Sequence, residues 1–265
     1  MAALRFLLLL CAVVAVPAVA GSFNISPIRV ELTGGHRTAV LTMTNEDDEP
    51  VVVQVHVLAW SQQSGEEELV DTRELLVTPP VLQIPGGKEQ ILRVALRRDP
   101  DPTKEMTYRV VFEEVPQAAP ANFSGLRVAL RMSVPVFVAP VHSHATAELQ
   151  WEAHALADGR YEVAATNNGT GHLQVTDFDV QLPGAANPVR GMTAKYVLPG
   201  SRMSWILKPD GSAAAPQPAD PQAPSTFAPH STPTMRAIPQ PGTPIVIHGH
   251  SDQGEFTAEV ASNGL

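Results

Sequence analysis

One stretch of the sequence, Gly125–Ala139, constrains the fold more than any other, because it alternates two kinds of side chain along its length. Large apolar residues take every second position, and arginine, alanine, serine or proline takes most of the positions between them. A period of two is typical of a β-strand whose two faces meet different surroundings. The apolar row consists of Leu126, Val128, Leu130, Met132 and Val134.

This row is longer than a typical strand of about five or six residues needs for its own sheet. The stretch is therefore open to two interpretations. It is either a long core strand of a sandwich, or a strand whose apolar row completes the sheet of a second polypeptide.

The N-terminus has the three parts of a secretory signal peptide. Arg5 supplies the positive start, Phe6–Val16 is an apolar run, and Ala18-Val19-Ala20 is a small-x-small cleavage site before Gly21. We therefore expect residues 1–20 to be removed after export through the inner membrane.

Cys11 is the only cysteine and lies within the apolar run of the signal peptide. A lipoprotein would need a small residue just before the cysteine, where this chain has Leu10. Cleavage leaves a mature chain with no cysteine, which excludes a disulfide, a thiolate metal site and a cysteine nucleophile.

The mature chain is acidic. Removing Arg5 from the 18 lysines and arginines leaves 17 against 27 aspartates and glutamates, a formal charge of −10. This balance disfavours nucleic acid and anionic membrane surfaces as partners. No mature segment approaches the ~20 apolar residues that span a bilayer, so membrane insertion is not expected.

Short β-branched and apolar segments, separated by turn sequences, fill most of the mature chain. No stretch combines helical spacing with capping signals, so we predict an all-β fold. The candidate strands are Phe23–Leu32, His36–Asn45, Pro50–Trp60, Val81–Ile84, Gln90–Leu96, Met106–Val115, Thr146–Glu152, Tyr161–Asn167, Leu173–Leu182, Thr193–Leu198, Arg202–Leu207, Pro244–His250 and Glu255–Val260.

The spacing of these strands predicts two immunoglobulin-like β-sandwich domains, residues 21–138 and 139–265. A cis peptide bond is possible in the Thr78-Pro79-Pro80 sequence, where proline interrupts the first domain. Residues 210–242 are rich in proline, alanine, serine and glutamine, and we predict a disordered insert within the second domain.

Eight short motifs follow one another in a distinctive order. They are, in chain order, Ile25–Val30, Thr42–Asn45, Val57–Trp60, Thr78–Val81, Ile84–Gly87, Tyr108–Pro116, Met132–Phe137 and Tyr196–Trp205. This ordered set resembles the periplasmic pilus chaperones, the PapD-like proteins of chaperone–usher assembly. The end of the alternating stretch, Met132–Phe137, looks like the archaic branch of that family.

The resemblance implies a periplasmic chaperone that works by donor-strand complementation and is not an enzyme. Leu126, Val128, Leu130 and Met132 would fill the open groove of a pilin-like subunit until an outer-membrane usher takes the subunit over. No cofactor or nucleotide is implied. Self-association of the free protein is a further alternative, since it would cover the same apolar row.

The family also anchors the C-terminal carboxylate of the subunit with two basic residues. By position the first is Arg29, whose guanidinium suits a carboxylate because it donates two parallel hydrogen bonds. The second anchor is usually a lysine late in the long strand, at the position of Pro135, which cannot serve. Our hypothesis is that Arg131, on the same strand face, substitutes for it.

Other functions have weaker support in the sequence. His142 and His144, like His248 and His250, are spaced to share one face of a strand, but no matching carboxylate cluster favours a metal site. No Gly-x-Ser-x-Gly elbow and no phosphate-cradling glycine motif point to an enzyme. The principal alternative is a secreted two-sandwich adhesion or structural module, which would bury the apolar row against its own second sheet.

Overall fold

The computed structural model describes residues 23–116, 128–156, 158–181, 187–208 and 245–260. Every regular element within these ranges is a β-strand, which confirms the all-β prediction. In the same ranges no helix is long and apolar enough to cross a membrane. The signal peptide, Leu126 and the insert at residues 210–242 lie outside the described residues.

The first sandwich consists of two sheets. One has the strand order β1-β3-β8-β6, and the other has the order β2-β10-β9-β4-β5, with β7 also paired to β4. The strands are β1 (Phe23–Ser26), β2 (Val30–Leu32), β3 (Thr38–Asn45), β4 (Val51–Gln63), β5 (Glu66–Asp71), β6 (Leu75–Thr78), β7 (Val81–Ile84), β8 (Glu89–Leu96), β9 (Met106–Glu114) and β10 (Arg131–Val138).

The first predicted strand, Phe23–Leu32, is wrong in one respect, because the chain leaves one sheet at Ser26 and enters the other at Val30. Pro27 has no N–H to continue the ladder, so the strand ends before it. The Ser26-Pro27 bond is cis, and so is the Thr78-Pro79 bond, as considered from the sequence. The crossing segment carries Arg29.

The core of the first sandwich lies between its two sheets. The alternation within Gln90–Leu96 is confirmed, since Leu92 and Val94 are fully buried whereas Ile91 is exposed. Val110 and Val136 are buried on the facing sheet in the same cluster. Period-two patterning therefore assigns the inward face correctly here.

The second sandwich also consists of two sheets, with the strand orders β11-β12-β15 and β14-β13-β16-β17. Its core is aromatic, with Trp151 stacked on Trp205 at 5.5 Å between ring centroids. The strands are β11 (Leu149–Ala155), β12 (Tyr161–Asn167), β13 (Leu173–Val180), β14 (Val189–Val197), β15 (Arg202–Leu207), β16 (Ile245–Ser251) and β17 (Gly254–Val260).

Strand β4 reaches from the first sandwich to the second. At its end the buried amide of Gln62 donates to the carbonyl of Tyr196 at 2.8 Å and accepts from the N–H of Leu198 at 2.9 Å. Nearby, Trp60, Phe137 and Leu198 form a small buried cluster against which Tyr196 packs. The two sandwiches therefore meet through specific hydrogen bonds and a compact aromatic contact.

Candidate functional site

Strand β10 has different neighbours along its length. Antiparallel pairing with β9 covers the whole strand, from Arg131 opposite Glu113 to Val138 opposite Met106. On its other edge the parallel partner β2 covers only Val136–Val138. Among the described residues no strand pairs with that edge over Arg131–Val134. We call Arg131–Val134 the leading part of β10 and Val136–Val138 its trailing part.

The apolar row changes from buried to exposed as it approaches the leading end. Val134 is buried, Leu130 and Met132 are partly buried against the core of the first sandwich, and Val128 is 58% exposed. The predicted strand at Gly125–Ala139 is too long within the described residues, because regular structure begins at Arg131. Strand β9 ends at Glu114, opposite Leu130, and of the described residues before Leu130 neither Val128 nor Ala129 has a ladder partner.

The backbone of β10 presents its odd-numbered N–H groups to the open edge. The carbonyl of Leu130 accepts from the N–H of Glu114 on the β9 side. On the other side the N–H of Ala139 donates to the carbonyl of Leu32 in β2. Hydrogen-bonding direction alternates along a strand. The N–H groups of Arg131 and Ser133 therefore point to the open edge. Pro135 comes next in this series and has no N–H to offer.

Arg29, the first predicted anchor, lies where the two sandwiches meet. One of its guanidinium nitrogens donates to Oδ2 of Asp252 at 2.6 Å, and its Nε lies 3.2 Å from Oε1 of Glu31. A third of the side chain is exposed (33%), so the guanidinium can be reached from solvent. Burial lowers the pKa of Arg29, but the hydrogen bond to Asp252 and the charges of Glu31 and Asp252 outweigh burial and raise it.

Arg109 is a second cation at this junction, and the sequence analysis missed it. It lies on β9 directly opposite Pro135, the position at which the resemblance implies a lysine. Its guanidinium carbon sits 3.7 Å from the ring centroid of Trp60 and 5.6 Å from that of Tyr196. Burial lowers the pKa of Arg109, and the charge of Glu67 opposes that effect. Only the strand register, which no local motif announces, could have identified it.

Tyr196 connects the two arginines. Arg29 lies close enough to the Tyr196 hydroxyl to act on its pKa, and Arg109 lies near the face of the same ring. Burial raises the pKa of Tyr196, and the two positive charges partly offset this rise. The phenol therefore stays neutral at neutral pH and lies between two permanent cations.

Arg131, the predicted second anchor, is exposed on the leading part of β10. Its register partner on β9 is Glu113. No contact in the described part of the chain joins Arg131 to Arg29, so its role as an anchor stays a prediction. Arg29 and Arg109 are instead brought together around Tyr196.

A histidine completes the junction on the side of the second sandwich. His172 stacks on Phe137 with 3.5 Å between ring centroids. Its Nδ1 lies 2.6 Å from Glu105, and its Nε2 lies 3.7 Å from Asp252. The polar contacts thus form a chain across the two sandwiches, from Glu105 through His172 and Asp252 to Arg29.

This geometry agrees with a comparison of the sequence with known families. Residues 22–143 match the family model for the pili and flagellar-assembly chaperone, PapD N-terminal domain. Over these residues, 122 of the 265 in the chain, the sequence is similar to the PapD-like chaperones. The matched family is a class of chaperone and not a class of enzyme. No curated protein matches the chain in sequence.

Solved structures of pilus chaperones share the fold over nearly the whole chain. A chain of the CsuC–CsuE chaperone–tip adhesion subunit pre-assembly complex, from archaic chaperone–usher Csu pili of Acinetobacter baumannii, has 19% identity and a TM-score of 0.60, covering 90% of this chain and 98% of its own. The E. coli chaperone DraB has 18% identity and a TM-score of 0.54, covering 92% of this chain and 98% of its own. A chain of the Salmonella enterica SafA pilin–SafB chaperone complex has 17% identity and a TM-score of 0.56, covering 90% of this chain and 96% of its own.

The recognition made from the motifs is thus confirmed, together with the two immunoglobulin-like sandwiches. The histidines of the second pair each contact a polar side chain. His250 contacts Asp177 at 2.9 Å, and His248 contacts the hydroxyl of Thr257 at 3.1 Å. In the part of the chain that the structure describes, no group of three or more His, Cys, Asp or Glu could hold a metal ion.

Proposed function

We propose that this protein is a periplasmic chaperone that stabilises pilin-like subunits by donor-strand complementation and delivers them to an outer-membrane usher. The observation that carries the proposal is the open edge of the leading part of β10, which lies beside a partly exposed apolar row. An unpaired strand edge is a template for pairing with another chain. The chaperone–pilin complex among the related structures supports the choice of partner.

In strand addition, both the backbone and the side chains of the chaperone strand would contact the subunit. The N–H groups of Arg131 and Ser133 would pair with the backbone of the subunit, and Val128, Leu130 and Met132 would enter successive pockets in its groove. Each such side chain contributes about 1.5–3 kcal/mol when it is fully buried. Leu130 and Met132 are partly buried already, so Val128 gains the most from a partner.

Co-purification from the periplasm tests this proposal. The tagged chaperone is co-expressed with the pilin-like subunit genes of the same organism, as the wild type and as Val128→Asp and Leu130→Asp. We expect each aspartate to lower subunit recovery more than about tenfold, because a carboxylate would be buried in an apolar groove. Recovery that survives both changes in folded protein would favour the adhesion-module alternative.

Val40→Asp is the matched control for Val128→Asp. Val40 is 51% exposed, close to the 58% of Val128, but it lies on β3 in the other sheet. The same charge is therefore introduced at a similar exposure and away from the open edge. We expect Val40→Asp to recover subunit as the wild type does.

The carboxylate anchor is tested separately by removing one cation at a time. We expect Arg29→Ala to abolish subunit recovery, because its guanidinium already accommodates a carboxylate. If Arg131→Ala leaves recovery intact, the hypothesis that Arg131 is the second anchor is wrong. Loss of recovery in Arg109→Gln, with the fold retained, would then assign the second cation to Arg109.

A further inference from the structure

The predicted carboxylate site at Arg29 is occupied by a carboxylate of the same chain. Asp252 lies in the turn between β16 and β17, and its Oδ2 is 2.6 Å from a guanidinium nitrogen of Arg29. The two residues are 223 positions apart and belong to different sandwiches. Because a guanidinium offers a limited set of directed donors, a second carboxylate that approached Arg29 would compete with Asp252.

The Asp252 carboxylate has other partners that keep it in place when Arg29 no longer binds it. Its Oδ1 accepts the backbone N–H of Gln174 at 2.9 Å, and Nε2 of His172 lies 3.7 Å from its Oδ2. His172 is itself fixed by Glu105 and by stacking on Phe137. The loss of Arg29 would therefore leave the Asp252 carboxylate with a backbone donor and a neighbouring imidazole.

We propose that Asp252 is an internal competitor that occupies Arg29 in the free protein and yields it to the C-terminal carboxylate of a bound subunit. This inference rests on the proposed function of Arg29 as a subunit anchor. In the free protein Asp252 pairs with Arg29 and links the two sandwiches, while Glu31, from the same sandwich as Arg29, lies 3.2 Å from its Nε. A bound carboxylate replaces Asp252 on the guanidinium. The contact between the sandwiches then depends on the hydrogen bonds of Gln62, the aromatic cluster and the pair of His172 with Glu105.

Asp252→Asn tests the competition directly. Asparagine has the same shape and keeps an oxygen that can accept from Gln174, but it removes the charge that attracts Arg29. Glu255→Gln is the matched control, because it removes the same charge three residues away in the same hairpin. The side chain of Glu255 is 86% exposed and lies 3.6 Å from His250.

The measurement uses acetate as the probe, so it needs no subunit. The Nε–H signal of Arg29 is followed by NMR in the mature protein during addition of sodium acetate, with sodium chloride at equal ionic strength as reference. Its assignment comes from the spectrum of Arg29→Lys, which lacks that signal. We expect Asp252→Asn to lower the half-saturating acetate concentration about fivefold, which corresponds to about 1 kcal/mol, the upper range for a partly exposed ion pair.

Glu255→Gln should respond to acetate as the wild type does. An equal or weaker acetate response in Asp252→Asn would overturn the inference, because Asp252 would then merely hold Arg29 in position. A failure of the proposed function would show itself elsewhere, as unchanged subunit recovery with Val128→Asp and Leu130→Asp. The acetate titration is independent of that result.

Discussion

The leading and trailing parts of β10 continue one alternating sequence, yet their surroundings differ. In the trailing part, Val136 and Val138 are fully buried and both strand edges are paired. The leading part is paired on the β9 side alone, and within the described residues the row beyond it reaches the exposed Val128. The difference shows that neighbouring strands, and not the periodicity of β10 itself, decide which residues serve the core and which stay accessible.

Hydrogen exchange should give the largest contrast between the two parts. The amide of Val136 points to β9 inside a buried pair, whereas the amide of Ser133 points to the open edge. We expect their exchange rates, corrected for intrinsic chemistry, to differ by a factor that corresponds to about 5 kcal/mol or more, since buried ladder amides open only with global unfolding. Amide exchange followed by NMR measures this. Equal protection of Ser133 and Val136 would mean that the edge is covered in the free protein.

A charge in the trailing part should have the next largest effect. Val136 is fully buried between Val30 and Tyr108 on the two neighbouring strands. We expect Val136→Asp to lower the free energy of unfolding by about 4 kcal/mol or more, because a carboxylate would lack a partner there. Urea unfolding monitored by tryptophan fluorescence measures the loss. A stable Val136→Asp protein would contradict the assignment of the trailing part to the core.

Truncation in the leading part should have an intermediate effect on stability. Met132 packs against the core of the first sandwich but is only partly buried. Met132→Ala should lower the free energy of unfolding by about 1–2 kcal/mol, less than the 2–5 kcal/mol typical of a fully buried site. The same urea experiment applies, with subunit recovery as the second readout. A loss above about 3 kcal/mol would place Met132 in the core proper.

The smallest effect on stability is expected at Val128. Its side chain is already exposed, so Val128→Asp should change the free energy of unfolding by no more than about 0.5 kcal/mol. The same substitution should nevertheless lower subunit recovery more than about tenfold. A clear loss of stability would show that Val128 contributes to the fold and would remove the contrast with the trailing part.

Much of the fold could be predicted because its signals are local. Alternation located the strands, as in Gln90–Leu96 and Tyr161–Asn167, and the latter has the predicted bounds. The break between β1 and β2 was missed although the apolar row changes phase across Pro27, from Phe23 and Ile25 to Val30 and Leu32. The start of β10 was placed too early because the sequence of a strand does not record where its neighbour ends.

The junction between the sandwiches was harder to predict because its residues meet only after folding. Arg29 was identified by resemblance, but its partner Asp252 carries no motif and lies 223 positions away. Arg109 was missed because its importance depends on lying opposite Pro135, a matter of register between β9 and β10. Long-range register and contacts between domains leave little trace in a single sequence.

Pro135 has a consequence for any strand that lies along the open edge. Such a strand meets backbone donors at Arg131 and Ser133 and then a pyrrolidine ring, which offers none. Beyond the proline the edge is already taken by β2. Along this edge the ladder of a bound strand can therefore extend only as far as Ser133. The proline and β2 together mark the position at which a guest strand must stop.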